Sequence, residues 1–328
     1  MQNENIKFLS SLNFLRAFSG YGVCVSHYLF FSYNIILFEF MSFIFVEFFF
    51  ILSGYVLAPQ LIKLNSIKFV KIFFYRRWIR TIPLFLLCLL VFSIFFKTFN
   101  IDTAKHLFLI QNFFPNFVNN NYVNILWSLS IEEYFYLLFP ILLIIFSRVS
   151  FAKILIISII FFLVLNFIFS FILSTSELRV NTFLRLDSIM YGVLLYLIVQ
   201  NKIIFNIHII TFLFLPPLYF FYDNFAYKDF NSFETFFYIL YLKILSIFVC
   251  WSFIKLEIFF LKYKKIGTLL ANQTYSIYLF HMIFIYLLKF YELNFIFGFF
   301  IYMFCLFIFS FFIYNFFEKP LNDLRPKY

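Results

Sequence analysis

The chain has 328 residues, of which 64% are hydrophobic and only 12% charged, with 62 Phe and 23 Tyr. Soluble domains carry about 25% charged residues, so the composition excludes an ordinary soluble fold and points to a polytopic membrane protein. A net charge of +10 does not argue for nucleic acid as a partner, because the positives fall mostly between apolar runs, where they orient membrane helices.

A membrane-spanning helix needs about 20 residues. Apolar runs near 9–31, 41–60, 81–99, 125–147, 152–174, 187–200, 203–222, 233–254, 269–289 and 295–317 give ten expected spans. The expected fold is therefore an all-α transmembrane helix bundle, a single integral-membrane domain over 1–328 with no separate soluble domain. "MQNENIK" lacks a signal-peptide pattern, so the first span reads as an uncleaved signal-anchor. With the N-terminus inside, 17 of the 25 Lys and Arg fall on the cytoplasmic side, six fall outside, and Arg16 and Lys243 lie within spans. That asymmetry orients both termini to the cytoplasm.

In chain order, the first run, "LNFLRAFSGYGVCVSHYLFF", carries Arg16 and His27. An arginine near a span centre costs about 2.5–3.5 kcal/mol on insertion scales, so an idle one is not expected. Eleven residues at 100° each end about 20° past three full turns, so both residues share one helix face, about 16 Å apart along the axis. A phosphate or other polar group held low and a reactive centre placed high would suit that spacing. Each residue satisfying a neighbouring carboxylate or backbone group would suit it as well.

The second run, "VEFFFILSGY", holds Glu47 and ends with Ser53-Gly54. "YRRWIRTIPLF" follows: Arg76, Arg77 and Arg80 form a basic cluster leading into a span, with Pro83 near that span's first turn, where proline is tolerated. The cluster also reads as a topology anchor. "NILWSLSIEEYFYLLFPILL" puts Trp127, Glu132 and Glu133 at the outer mouth of the fourth span, and "TFLRLDSIMYG" puts Arg185 and Asp187 on the same side. These charges also read as solvated. "NQTYSIYLFHMIF" places Tyr275 and His281 in the ninth span, His281 being a second acid/base group or a buried, satisfied histidine. Cys24, Cys88, Cys250 and Cys305 lie in apolar runs without a CxxC pair or metal spacing, and read as small core or lipid-facing residues.

Taken together, these segments resemble the bacterial membrane acyltransferase 3 family, the O-acyltransferases of cell-surface glycans. Arg16 and His27 are similar to its arginine–ten residues–histidine pattern, and "VEFFFILSGY" to its acidic–Phe–Phe–x–x–Ser–Gly motif. Arg77, Arg80 and Pro83 resemble its R-x-x-R-x-x-P segment, "WSLSIEEYFYLLFP" its most specific string, "TYSIYLFH" its S-Y-x-x-Y-L-x-H motif and "FEKP" its acidic-x-Pro ending. The departures are small: Thr274 where serine is usual, Ala271-Asn272 for a usual glycine, and Glu47 where aspartate is common.

The resemblance implies an inner-membrane enzyme that transfers an acyl group, most often acetyl, from cytoplasmic acetyl-CoA or another acyl-CoA to a hydroxyl of a periplasmic or cell-surface glycan or glycolipid. Arg76, Arg77 and Arg80, with Lys68 and Lys71, would bind the phosphates of the donor, since arginine pairs phosphate oxygens bidentately. Arg16 would meet a polar part of the pantetheine arm or orient Glu47. His27 is the expected general base, with a pKa range suited to the role, or alternatively the nucleophile of an acyl-histidine intermediate. Glu132 would orient His27 or bind acceptor with Trp127; Glu47, Ser53, Glu133, Arg185, Asp187, Tyr275 and His281 would line the acceptor or support these groups. No metal and no cofactor beyond the CoA donor is implied.

The rival is a transporter or flippase for a lipid-linked sugar or small anion, with buried Arg, His and Glu as its path. Only 6 Gly and 8 Pro, and no half-to-half repeat, argue against it. A non-catalytic scaffold gives no reason for an Arg–His pair beside a basic segment.

Overall fold

The computed structural model of the protein describes residues 9–64, 66–115, 117–118, 122–123, 125–201, 217–226, 230–289, 291 and 294–326. Every regular element among these is helical: α1 (Ser10–Tyr33), α2 (Ile36–Leu61), α3 (Ile67–Phe95), α4 (Ile101–Leu107), α5 (Leu126–Ile145), α6 (Phe151–Phe169), α7 (Thr175–Val180), α8 (Asp187–Gln200), α9 (217–226), α10 (Ser232–Lys255), α11 (Glu257–Leu261), α12 (Lys264–Lys289), α13 (Phe295–Ile313), a π-helical turn (Tyr314–Glu318) and α14 (Lys319–Asp323).

Six helical runs are long and apolar enough to cross a membrane: α2, α3, α5, α6, α10 and Phe295–Asp323. Two more, α1 and α12, have the length at 24 and 26 residues, but polar side chains such as Asn13, Arg16 and His27 or Gln273, Thr274 and His281 interrupt their apolar surface. The apolar helix α8 is shorter, and most of the expected span 203–222 lies outside the described residues. Ile157, Ile160, Val164 and Ile168 on α6, and Phe300, Phe304 and Phe311 on α13, are exposed at helical spacing. Such faces suit hydrocarbon, not water, and with the six runs they make this an integral membrane protein. Cys24, Cys88 and Cys250 are buried and Cys305 is exposed.

The chain packs as two compact units, each drawn from three stretches. The first comprises Met1–Ile62, Ser188–Asp229 and Leu240–Tyr275. Its α1 ends where Asn34 adopts a left-handed φ of 54° and donates its N–H to Phe30 O at 2.7 Å, a conformation asparagine tolerates. At the other end of α1, the Ser10 and Ser11 amides each donate to the Glu257 carboxylate at 2.8 Å. First-turn amides have no partner within their own helix, and a carboxylate there also meets the positive end of the helix dipole. Phe14 packs on Phe260 at 4.8 Å, and Phe260 stacks on Phe253 at 5.2 Å, which ties α1, α10 and α11 together. A Cβ on Gly54 would stand 1.9 Å from Ile189 O, and one on Gly192 would stand 2.1 Å from Ile51 O. The two glycines therefore let the backbones of α2 and α8 touch, which no larger residue allows.

The second unit comprises Lys63–Asp187, Phe230–Ile239 and Ser276–Tyr328. Its 29-residue α3 packs against α4, α5, the π-helical turn and α14. Here the structure departs from the sequence expectation. The basic stretch is no loop: α3 starts at Ile67 and runs through Pro83, which sits inside the helix. Proline removes only the bond to the Ile79 carbonyl, and packing on the neighbouring helices holds the rest.

Candidate active site

In the first unit, Arg16 and His27 both lie on α1, each partly exposed, and the His27 ring meets Phe31 edge-on at 5.6 Å. Glu47 is buried on α2 at 2% exposure, and half-buried Ser53 precedes the close-approach Gly54. Tyr275 is half-buried on α12, where its neighbour Gln273 accepts from Tyr21 OH of α1 at 3.5 Å. Lys243 joins this inventory from α10: its side chain is 2% exposed, with Nζ 5.8 Å above the Tyr191 ring. The sequence signal for it is a lone cation in "FFYILYLKILSIF", and no role was expected of it.

In the second unit the charged residues converge. Spacing puts Arg76, Arg77 and Arg80 in an inner-face segment and Glu132 and Glu133 at the outer mouth of a span. The structure instead puts Glu133 within electrostatic reach of Arg77. Both are buried, at 7% and 9% exposure, and Thr81 faces the same carboxylate. The reason is the early start of α3, which places Arg77 ten residues into the helix, about 15 Å along its axis. The Arg77 guanidinium lies 5.7 Å from the Phe73 ring centre and 5.9 Å from that of Tyr136. Tyr136 OH donates to Glu132 at 2.9 Å. Arg77 is thus buried on α3, whereas Lys68 and Lys71, nearer its start, are exposed.

The C-terminal segment enters the same cluster. Glu318, 6% exposed, faces Ser276, Arg80 and Arg325. Arg76 donates to the Pro326 carbonyl. Burial, together with the guanidinium groups of Arg80, Arg77 and Arg76, pulls Arg325 down to about 10, so it stays cationic at neutral pH. Arg325 escaped the sequence reading because a terminal "LRPKY" resembles any basic tail.

Two motifs meet in this unit as well. Trp127 is buried at the start of α5, beside Ser128, whose Oγ lies 2.5 Å from Tyr278 OH of α12. Tyr278 OH in turn donates to Ile125 O at 3.1 Å. Tyr278 was not among the expected site residues, although it is the second tyrosine of "TYSIYLFH". His281 is fully buried, with Nδ1 2.7 Å from Tyr278 O. A carbonyl only accepts, so Nδ1 carries a proton. Arg185 and Asp187 are also fully buried, and Asp187 and Tyr238 face the Arg185 guanidinium. They are not solvated mouth charges.

No curated protein and no solved structure matches the chain. A family model described as an acyltransferase domain, Acyl_transf_3, matches residues 9–315, nearly the whole length. That match takes in five of the six motif segments whole, and with the apolar helices it makes the protein a membrane acyltransferase: the chain belongs to the acyltransferase 3 family.

Proposed function

We propose that the protein is an O-acyltransferase of a bacterial inner membrane, with ten spans and both termini in the cytoplasm. It takes an acyl group, in the first instance acetyl, from cytoplasmic acyl-CoA and passes it to a hydroxyl of a cell-surface or periplasmic glycan or glycolipid. The observation that carries the donor assignment is the convergence of Arg76, Arg77, Arg80 and Arg325 in one cluster, since CoA is a polyanion and guanidinium forks match phosphate oxygens. Arg16 holds a polar part of the pantetheine arm, and His27 is the general base. In the transfer, His27 takes the proton of the acceptor hydroxyl as its oxygen attacks the thioester carbonyl. The carbon–sulfur bond then breaks, and the departing thiolate takes the proton back from the imidazolium. Ester and free CoA are the products, and no further reactant is needed. Glu132, Glu133, Trp127, Arg185, Asp187 and His281 line or support the acceptor side, and Glu47, Ser53 and Tyr275 support α1.

The test uses purified protein in nanodiscs with radiolabelled acetyl-CoA, with and without a glycan extract, comparing the unaltered chain with His27→Ala. Glycan-dependent label transfer that vanishes in the variant is the expected result. Full transfer by His27→Ala would remove that residue from the chemistry. No transfer and no CoA hydrolysis by folded protein would remove acetyl-CoA as donor.

A further inference from the structure

The segment after α13 does not simply trail from the bundle. A π-helical turn at Tyr314–Glu318 breaks the α-helical register, a feature frequent at functional sites. Within 314–326 only Glu318 is fully buried, while Phe316 and Lys319 beside it are exposed. Glu318 is thus turned inward, towards Ser276 and within electrostatic reach of Arg80 and Arg325, and α14 packs on α3, the helix that carries the three arginines. Arg76 donates to the carbonyl of Pro326, directly after Arg325 in the chain, and Arg325 itself donates to Asn322. The Arg76 bond ties the C-terminal segment to α3, and Arg325 feels the guanidiniums of Arg80, Arg77 and Arg76.

Like charges brought together under partial burial call for an anion among them. Buried Glu318, within electrostatic reach of Arg80 and Arg325, answers at most part of the need. Yet Arg325 Nε is buried without a hydrogen-bond partner among the described residues, and a buried donor left unpaired is costly. A ligand bearing several phosphate groups supplies acceptors of the required charge and geometry. The family match covers Arg76, Arg77 and Arg80 and ends at residue 315, so Arg325 lies outside the matched residues.

We infer that residues 316–326 complete the phosphate-binding site of the acyl donor and that Arg325 is its fourth guanidinium. The inference rests on the donor reading above and adds to it a binding residue outside the matched domain. Glu318 holds Arg80 and Arg325 in place while the site is empty, and the donor's phosphates take up the remaining donors when it binds. The chemistry shared by possible occupants is the phosphate group, from CoA or from an anionic lipid headgroup.

The experiment is calorimetric titration of CoA into protein in phosphatidylcholine nanodiscs, with pantetheine, which lacks the phosphates, as the companion ligand. Arg325→Ala, Arg325→Lys and Arg80→Ala are compared with the unaltered chain, and the unfolding midpoint without ligand is recorded for each. The expected result is CoA binding weakened about tenfold or more by Arg325→Ala, the scale of a charge-assisted hydrogen bond. Pantetheine binding and the midpoint should stay unchanged, and Arg325→Lys should recover only part of the loss. If Arg80→Ala weakens CoA binding and Arg325→Ala does not, the inference fails while the donor reading stands. If the unaltered chain binds no CoA, both fail. Equal losses for CoA and pantetheine with a lowered midpoint make Arg325 a structural strut and overturn the inference. Loss of CoA binding when phosphatidylglycerol is added, with the same dependence on Arg325, assigns the site to a lipid headgroup instead.

Discussion

The two units are fastened by different means. In the first, the ionisable residues Arg16 and His27 lie on α1, Glu47 on α2 and Lys243 on α10. Its helices are fastened by backbone contact at Gly54 and Gly192, by the aromatic run Phe14–Phe260–Phe253, and by the Glu257 cap on α1. In the second unit, charge is concentrated. Arg77 is the cation nearest in effect to buried Glu133, and Arg80 and Arg325 act on Glu318, with Tyr136 bonded to Glu132 and Pro326 to Arg76. A dense network of both signs suits a rigid frame for a polyanion, because breaking one pair exposes its partner.

That contrast can be broken in order of effect. The largest change expected is chemical and belongs to the first unit: His27→Ala should cut acyl transfer by about 10²–10⁴-fold, the share of a general base, with insertion and folding intact. Residual transfer near the unaltered rate would show that α1 is a strut like its neighbours.

Next comes the second unit's network. Arg77→Ala takes a nearby cation from buried Glu133 and truncates the packing on Phe73 and Tyr136, which should cost about 2–3 kcal/mol. A fall in the detergent unfolding midpoint should report it. The double variant Arg77→Met with Glu133→Leu should regain most of that loss, since removing both charges leaves none stranded. Single and double variants that behave alike would mean the pair is not coupled.

Gly54→Ala tests the backbone contact of the first unit. Its new Cβ meets a carbonyl oxygen at 1.9 Å, so α2 or α8 must shift. The expected cost is about 1–3 kcal/mol, seen as a smaller monodisperse peak in fluorescence-detected size-exclusion chromatography. The smallest effect is expected from Glu257→Ala, which removes the cap on Ser10 and Ser11 and should cost about 1 kcal/mol. Glu257→Gln, which keeps an acceptor but not the charge, should fall between, measured by the same midpoint.

How much of this was legible in the sequence differs from residue to residue. The placement of Arg16 and His27 on one helix was readable because both sit in one uninterrupted run and helical geometry is local. The motif strings led to the family because they recur in order along the chain. The start of α3 was misread: Pro83 and the arginines ahead of it look like a loop entering a span, whereas the helix continues through them. The apolar run 203–222 falls mostly outside the described residues, and the ten-span count rests on sequence.

By itself, the sequence determined that this protein lives in a membrane, that it is helical, and that it belongs to an acyltransferase family. Those properties follow from composition, from periodicity within single segments and from short strings, all of which are local. Tertiary structure alone decided that Glu133 is buried near Arg77, that Ser128 meets Tyr278, that Gly54 touches α8 and that Arg325 lies near three arginines far upstream. Each of those pairings joins distant parts of the chain. A one-dimensional pattern carries no record of which apolar helix packs against which, and in the bilayer that choice is made by close packing and by the need of buried charges and hydrogen-bonding groups for partners.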